Sequence, residues 1–208
     1  MSTIFQWING GLLGSLVTLC IGLYIDYRRQ EKKKSLYISE QRLHHTYSPI
    51  YFYTTLNFQY AEEIFEDLSE IQKKINKSGP DADVSKQYNS IESSLKNLQI
   101  YTDKIVESLV NNFSYLKTDD ELCIIQYLTL CQRIQNISLP LPPSQVRINS
   151  LVTVFKGLCF ILNIVKSRFN VTSHEARVDL NIISFSESVE KLRSDIAEYS
   201  MNESKYKI

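Results

Sequence analysis

The sequence predicts an all-α protein, with a single N-terminal transmembrane helix followed by a cytoplasmic antiparallel helical bundle. Residues 4–25 contain no charged side chain. The whole chain of 208 residues holds only six Gly and five Pro, so turns are few and elements are long. Beyond residue 48, apolar residues recur at steps of three and four, which is the period of an amphipathic helix. We therefore expect one membrane segment and one helical domain.

The N-terminal segment is long enough to cross a membrane. As a helix rising about 1.5 Å per residue, residues 4–25 span a hydrocarbon layer of roughly 30 Å. The positive charges follow the segment directly, and no Lys or Arg precedes it: Arg28, Arg29, Lys32, Lys33 and Lys34. The positive-inside rule then predicts a single-pass protein with its N-terminus outside and its C-terminal domain in the cytoplasm. In a bacterial cell, that membrane is the inner membrane.

This charge order also predicts that the segment stays in the mature protein. A cleaved signal peptide carries its positive charge before the apolar run, whereas here the charge comes after it. We accordingly expect a transmembrane helix and basic flank over residues 1–34, a cytoplasmic bundle over residues 35–200 and a tail over residues 201–208.

Small and polar residues share one face of the membrane segment. At about 100° per residue they lie on a broad face opposite a leucine-rich one, and the series comprises Gln6, Gly10, Gly14, Thr18 and Gly22. Small residues let helices approach closely in lipid, which favours a homo-oligomer. The same face also suits the wall of a water-filled pore, because polar groups at membrane depth face a cavity or a bundle interior. Both interpretations stay open.

Composition argues against several functions. Lys plus Arg equals Asp plus Glu, so the chain as a whole does not attract a polyanion, and we expect no DNA partner. The four cysteines lack C-x-x-C spacing and are interpreted as packing residues: Cys20, Cys123, Cys131 and Cys159. The three histidines complete no ligand set either. We expect no metal and no cofactor.

The cytoplasmic part divides into helices at recognisable breaks. Pro49 suits a first helical turn, and residues 78–85 form a loop between two antiparallel helices, the second of which covers about residues 85–112. The first of these helices carries an apolar stripe at Leu56, Tyr60, Ile64, Leu68, Ile71 and Ile75.

Later breaks define two more helices before the last one. Thr118 and Glu121 form a capping box that gives the acidic cluster around Asp120 a structural role. Prolines after residue 139 separate that helix from one starting near Ser144, whose apolar run over residues 151–165 we interpret as a buried core helix.

The segment RFNVTSHEA, residues 168–176, joins the last two helices. Thr172 and Glu175 form a second capping box, which starts the last helix at Ser173. In the structural interpretation, Arg168 complements the negative end of its helix and His174 occupies a first turn.

In a second interpretation, the pattern R-x5-H resembles the R-x4-6-H motif of the HEPN superfamily. Those domains are all-helical and are often metal-independent ribonucleases that assemble their site from two chains. The resemblance covers roughly residues 48–200 and implies that His174 acts as general acid or base while Arg168 stabilises charge on a phosphate. Phe169 stands where that family often has a polar residue.

The combination of a membrane helix, a helical domain and a late R-x5-H is similar to the small membrane accessory protein of type VI-B CRISPR systems. That resemblance implies an oligomeric, pore-forming antiviral effector acting at the membrane, with an RNA-guided effector or RNA as a partner. Two alternatives stay open: a non-enzymatic membrane anchor whose helical domain binds a partner, and a membrane-tethered ribonuclease that uses Arg168 and His174.

Overall fold

The structure is a computed structural model that describes the backbone of residues 2–79, 82–112, 114, 116–139, 144–170 and 182–205. Side chains are described from residue 21 onward within these ranges, except at residues 39, 182, 183 and 202–205. All regular elements of the described chain are helical, which confirms the all-α prediction. The chain forms two compact units, Met1–Gln41 and Arg42–Ile208.

The first unit is built on helix α1, Ser2–Arg42. In the second unit, a short π-helical segment, Leu43–Tyr47, comes before the α-helices. These are α2 (Ser48–Ser78), α3 (Ser85–Asn112), α4 (Thr118–Ile134), α5 (Gln145–Phe169) and α6 (Ile182–Lys205). Pro49 lies in the first turn of α2, where its missing N–H has no intrahelical partner to lose.

Helix α2 is the centre of the second unit. It packs extensively against α3 and against α5, while α6 packs against α5 and α4. The buried residues of α2 include Ile64, Leu68, Ile71 and Ile75, as the three- and four-residue spacing predicts. Helix α5 contributes Leu151, Leu158 and Leu162 to the same core, so its apolar run is a bundle helix, as predicted.

Among the helices searched in the described part of the chain, α5 is the one that is long and apolar enough to cross a bilayer. Of its most apolar window, 44% is buried inside the second unit.

The first half of α2 differs from the predicted stripe. Leu56 and Tyr60 are only half-buried, and the fully buried positions there are Ile50, Thr54, Asn57 and Ala61. The Asn57 side-chain amide donates hydrogen bonds to the hydroxyls of Thr102 on α3, at 3.2 Å, and Tyr127 on α4, at 2.6 Å. The buried amide nitrogen is tolerated here because it makes two hydrogen bonds, whereas the amide oxygen, Oδ1, has no hydrogen-bond partner among the described residues.

The start of α4 also differs from the prediction. The N-cap is Lys117, no side chain caps the helix, and Thr118 is already its first helical residue. The predicted capping box at Thr118 was therefore wrong. Thr118 lies one position past the N-cap, where its hydroxyl does not accept a hydrogen bond from the first backbone N–H groups of the helix. The second capping box, with Ser173, lies outside the described residues.

We predict that Leu68→Ala lowers the free energy of unfolding by about 2–5 kcal/mol, because Leu68 is completely buried and its removal leaves a cavity in the core. The matched control is Val110→Ala on α3, whose side chain is 76% exposed and whose change we expect to cost less than about 0.5 kcal/mol. Chemical unfolding of the full chain, followed by circular dichroism, compares the two variants. Equal effects would contradict the assignment of the core to this face of α2.

Candidate functional site

The predicted association face lies on α1. The backbone is α-helical from Ser2 to Arg42, so the positions of Gln6, Gly10, Gly14, Thr18 and Gly22 advance by about 40° at each four-residue step and occupy one side of the helix. Of these five, only Gly22 lies among the residues whose side-chain surroundings are described. A Cβ added there would meet nothing within 4 Å, so this position is open to a partner.

The end of the uncharged segment exposes apolar side chains. Ile21 is 54% exposed and Leu23 is 62% exposed, and Tyr24 and Ile25 are exposed as well. Exposure of apolar surface to water is unfavourable by roughly 25 cal/mol for each Å². Covering this surface would therefore be favourable.

Aromatic and basic residues follow immediately. The Arg28 Nε donates to the Tyr24 hydroxyl at 3.1 Å, and its guanidinium lies 5.7 Å from the centre of the Tyr24 ring. One position before it, Tyr27 donates to Glu31 at 3.0 Å. Amphipathic rings beside Arg and Lys are typical of residues at the boundary between lipid and water.

The second candidate site is a buried charge cluster, formed by Tyr47, Asp120 and Arg168. Asp120 is completely buried, and the Arg168 Nε donates to its Oδ1 atom in an ion pair. The Tyr47 hydroxyl donates to the other carboxylate oxygen, Oδ2. Both oxygens of the carboxylate therefore have a partner, as a buried anion requires.

Each member of this cluster is placed by a helix end. Tyr47 is the last residue of the π-helical segment, Asp120 lies in the first turn of α4 and Arg168 lies in the last turn of α5. The position of Asp120 is favourable for an anion, because helix N-termini carry partial positive charge. The ring of Tyr47 packs against Phe169, with centroids 5.3 Å apart, and this contact closes the apolar side of the cluster.

The cluster also affects a neighbouring thiol. Burial, and to a smaller extent the negative charge of Asp120, raises the pKa of Cys123 to about 12, while the positive charge of Arg168 opposes the rise. Because the thiolate is the nucleophile, such a thiol is inert near neutral pH. Cys123 and Cys131 are buried and unpaired, so both are packing residues, as predicted.

The structure brings Arg168 together with an acid, Asp120. His174 lies in the segment outside the described residues, so its distance from Arg168 stays open. Arg168 lies in the last turn of α5, as predicted, but its ion-pair partner is Asp120 of α4. The sequence had predicted an interaction with the C-terminal end of its own helix. Phe169, the residue that departs from the HEPN pattern, is fully buried.

Sequence reasoning missed that Tyr47 and Arg168 both bind Asp120. Asp120 and Tyr47 are 73 residues apart, and no local pattern connects them. A signal was nevertheless present on α4, because Asp120 falls three, four and seven positions before the buried Cys123, Ile124 and Tyr127. A carboxylate in register with a buried stripe requires a cationic or hydroxyl partner elsewhere in the chain.

Comparison with protein-family models, with curated proteins and with solved structures found no significant match.

We predict that removing both charges of the Asp120–Arg168 pair lowers the free energy of unfolding by much less than the sum of the losses caused by removing each charge alone. Asp120→Asn or Arg168→Met alone leaves a buried charge without its partner and should lower the free energy of unfolding by about 3–5 kcal/mol. The double variant should recover at least half of the summed loss, because no uncompensated charge remains.

The control for this cycle is Glu190→Gln, which removes an ion pair with Arg193 whose carboxylate side chain is largely exposed. It should change stability by less than about 1 kcal/mol. Strictly additive losses for Asp120 and Arg168 in chemical unfolding would show that the two charges do not depend on each other.

Proposed function

We propose that this protein is a membrane-anchored effector that self-associates through the small-residue face of α1 and perturbs the inner membrane during antiviral defence. The observation that carries the proposal is the uncovered apolar end of the uncharged segment, where Leu23 is 62% exposed and a basic flank follows. Lipid covers such a surface at no cost in polar desolvation, and the flank fixes the orientation.

Self-association is supported by the composition of the face. A helix in lipid gains little from apolar burial against another helix, so contacts depend on close backbone approach. Gly10, Gly14 and Gly22 lie at four-residue intervals with Thr18 between the last two, and Gly22 has room for a neighbour. A ring of such helices places its polar groups, including Gln6, toward a common lumen.

The antiviral setting rests on the resemblance to the accessory protein of type VI-B CRISPR systems, and an RNA-guided effector is the proposed trigger. A ribonuclease activity of Arg168 and His174 has weaker support. The Arg168 guanidinium already neutralises a fully buried carboxylate, and transferring it to an RNA phosphate would leave Asp120 buried without its cation.

The test is membrane integrity in cells that express the full chain, measured by dye uptake and membrane potential. The wild type should depolarise the membrane on induction with its trigger. Gly14→Leu should reduce dye uptake at least fivefold, because a large side chain on the small-residue face separates the helices.

The matched control is Leu16→Phe, which adds bulk on the opposite, leucine-rich face and should leave dye uptake unchanged. An intact potential in wild-type cells would end the pore proposal. A chain whose residues 4–25 are replaced by polyleucine and which keeps full function would indicate an anchor with a partner-binding bundle.

A further inference from the structure

A groove runs between α5 and α6 on the surface of the second unit. It encloses a cavity of about 430 Å³, which lies within the usual size range of small-molecule sites. Gly157 forms part of its floor, and the Cδ1 atom of Leu192 lies only 2.9 Å from where a Gly157 Cβ would stand. The missing side chain therefore lets the two helices pack closely beneath the cavity.

The register of the two helices orders the residues along the groove. Gly157 meets Leu192, and the guanidinium of Arg147 lies 5.5 Å from the ring centre of Tyr199, so α5 and α6 are antiparallel. Lys156 and Lys191 consequently lie near the middle of the groove. Phe160 lies toward one end, and Asp195 lies toward the other.

The lysines make no ion pair or hydrogen bond within the described part of the chain, and neither does Asp195. Two lysines against one carboxylate give the groove an excess positive charge. Ile161 and Leu192 add apolar lining to the groove, which strengthens the attraction for an anion relative to open water. Lysine is a compact cation that commonly binds phosphate.

An aromatic wall stands beside these cations. Phe160 is 57% exposed, although burial of a phenylalanine ring is favourable by roughly 1.5–3 kcal/mol. A planar or apolar group bound in the groove would cover this ring, by stacking on it or by packing against it. The combination selects a ligand that carries a phosphate at one point and an apolar or planar body next to it.

We propose that the groove between α5 and α6 binds an organic phosphate, with its phosphate between Lys156 and Lys191 and its planar or apolar body against Phe160. Nucleotides and anionic phospholipids share this chemistry, and the experiment separates them. The site lies wholly within the second unit, so the inference holds whether or not α1 forms a pore.

The test uses the full chain in dodecyl maltoside, a detergent without phosphate, and isothermal titration calorimetry with inorganic phosphate, AMP, ADP and a short-chain phosphatidic acid. At least one organic phosphate should bind at least tenfold more tightly than inorganic phosphate. Binding should weaken as NaCl is raised, because salt screens the lysine charges.

Variants locate the site. Lys156→Gln combined with Lys191→Gln should weaken binding at least tenfold, while Lys86→Gln combined with Lys96→Gln, an equal charge change on exposed positions of α3, should have no effect. Phe160→Ala should reduce the preference for the organic ligand over inorganic phosphate. Asp195→Asn should tighten phosphate binding, because it removes the carboxylate that repels the anion.

Preference for the nucleotides would identify the ligand class as nucleotide, and preference for phosphatidic acid would identify it as lipid; both support the site. The absence of binding to all four probes would overturn the proposal. So would equal losses in the two double-lysine variants, or inorganic phosphate binding as tightly as every organic phosphate. A soluble chain that still binds ADP through these lysines would retain this site while ending the membrane function.

Discussion

The buried carboxylate of Asp120 is the constraint on which the arrangement of the bundle depends. A carboxylate without partners is very costly to bury, so the three segments that supply its partners are held to one geometry. Arg168 fixes the end of α5 against the start of α4, and Tyr47 fixes the π-helical segment against both. Tyr47 is the last residue of this π-helical segment and is buried, and such segments frequently occur at functional positions.

A second buried polar group lies further along the same core. Asn57 of α2 binds Thr102 of α3 and Tyr127 of α4, and burial raises the pKa of the Tyr127 hydroxyl well above its ordinary value. Because these partners come from three helices, a shift of any one helix along its axis would leave a buried polar group unpaired. The apolar core supplies most of the stability, and the polar contacts select one alignment of the helices.

The two functional proposals concern different parts of the chain. The association face belongs to α1, whose role depends on lipid and on copies of the same helix. The groove belongs to α5 and α6, where Gly157 allows close packing and two lysines lack an ion-pair partner among the described side chains. A ligand that bound only one state of the bundle would shift its population, which is the thermodynamic requirement for a trigger.

Much of the fold followed from local patterns. The stripe from Ile64 to Ile75, the loop after Ser78 and the bounds of α3 were predicted, because helical periodicity and turn residues act over a few positions. The prediction failed where a local pattern had two solutions. By helical period, Leu56 and Tyr60 fit the buried face of α2 as well as Asn57 does. Asn57 is the buried residue because its hydrogen-bond partners lie on α3 and α4.

The sequence by itself determined the helical class, the uncharged segment with its basic flank and the spacing of its glycines, since these depend on residue type and period alone. The tertiary structure decided that Arg168 pairs with Asp120 and that Lys156 and Lys191 share one groove. The physical reason is that ion pairing and cavity formation depend on distances between residues far apart in the chain. Those distances are fixed only when the helices pack.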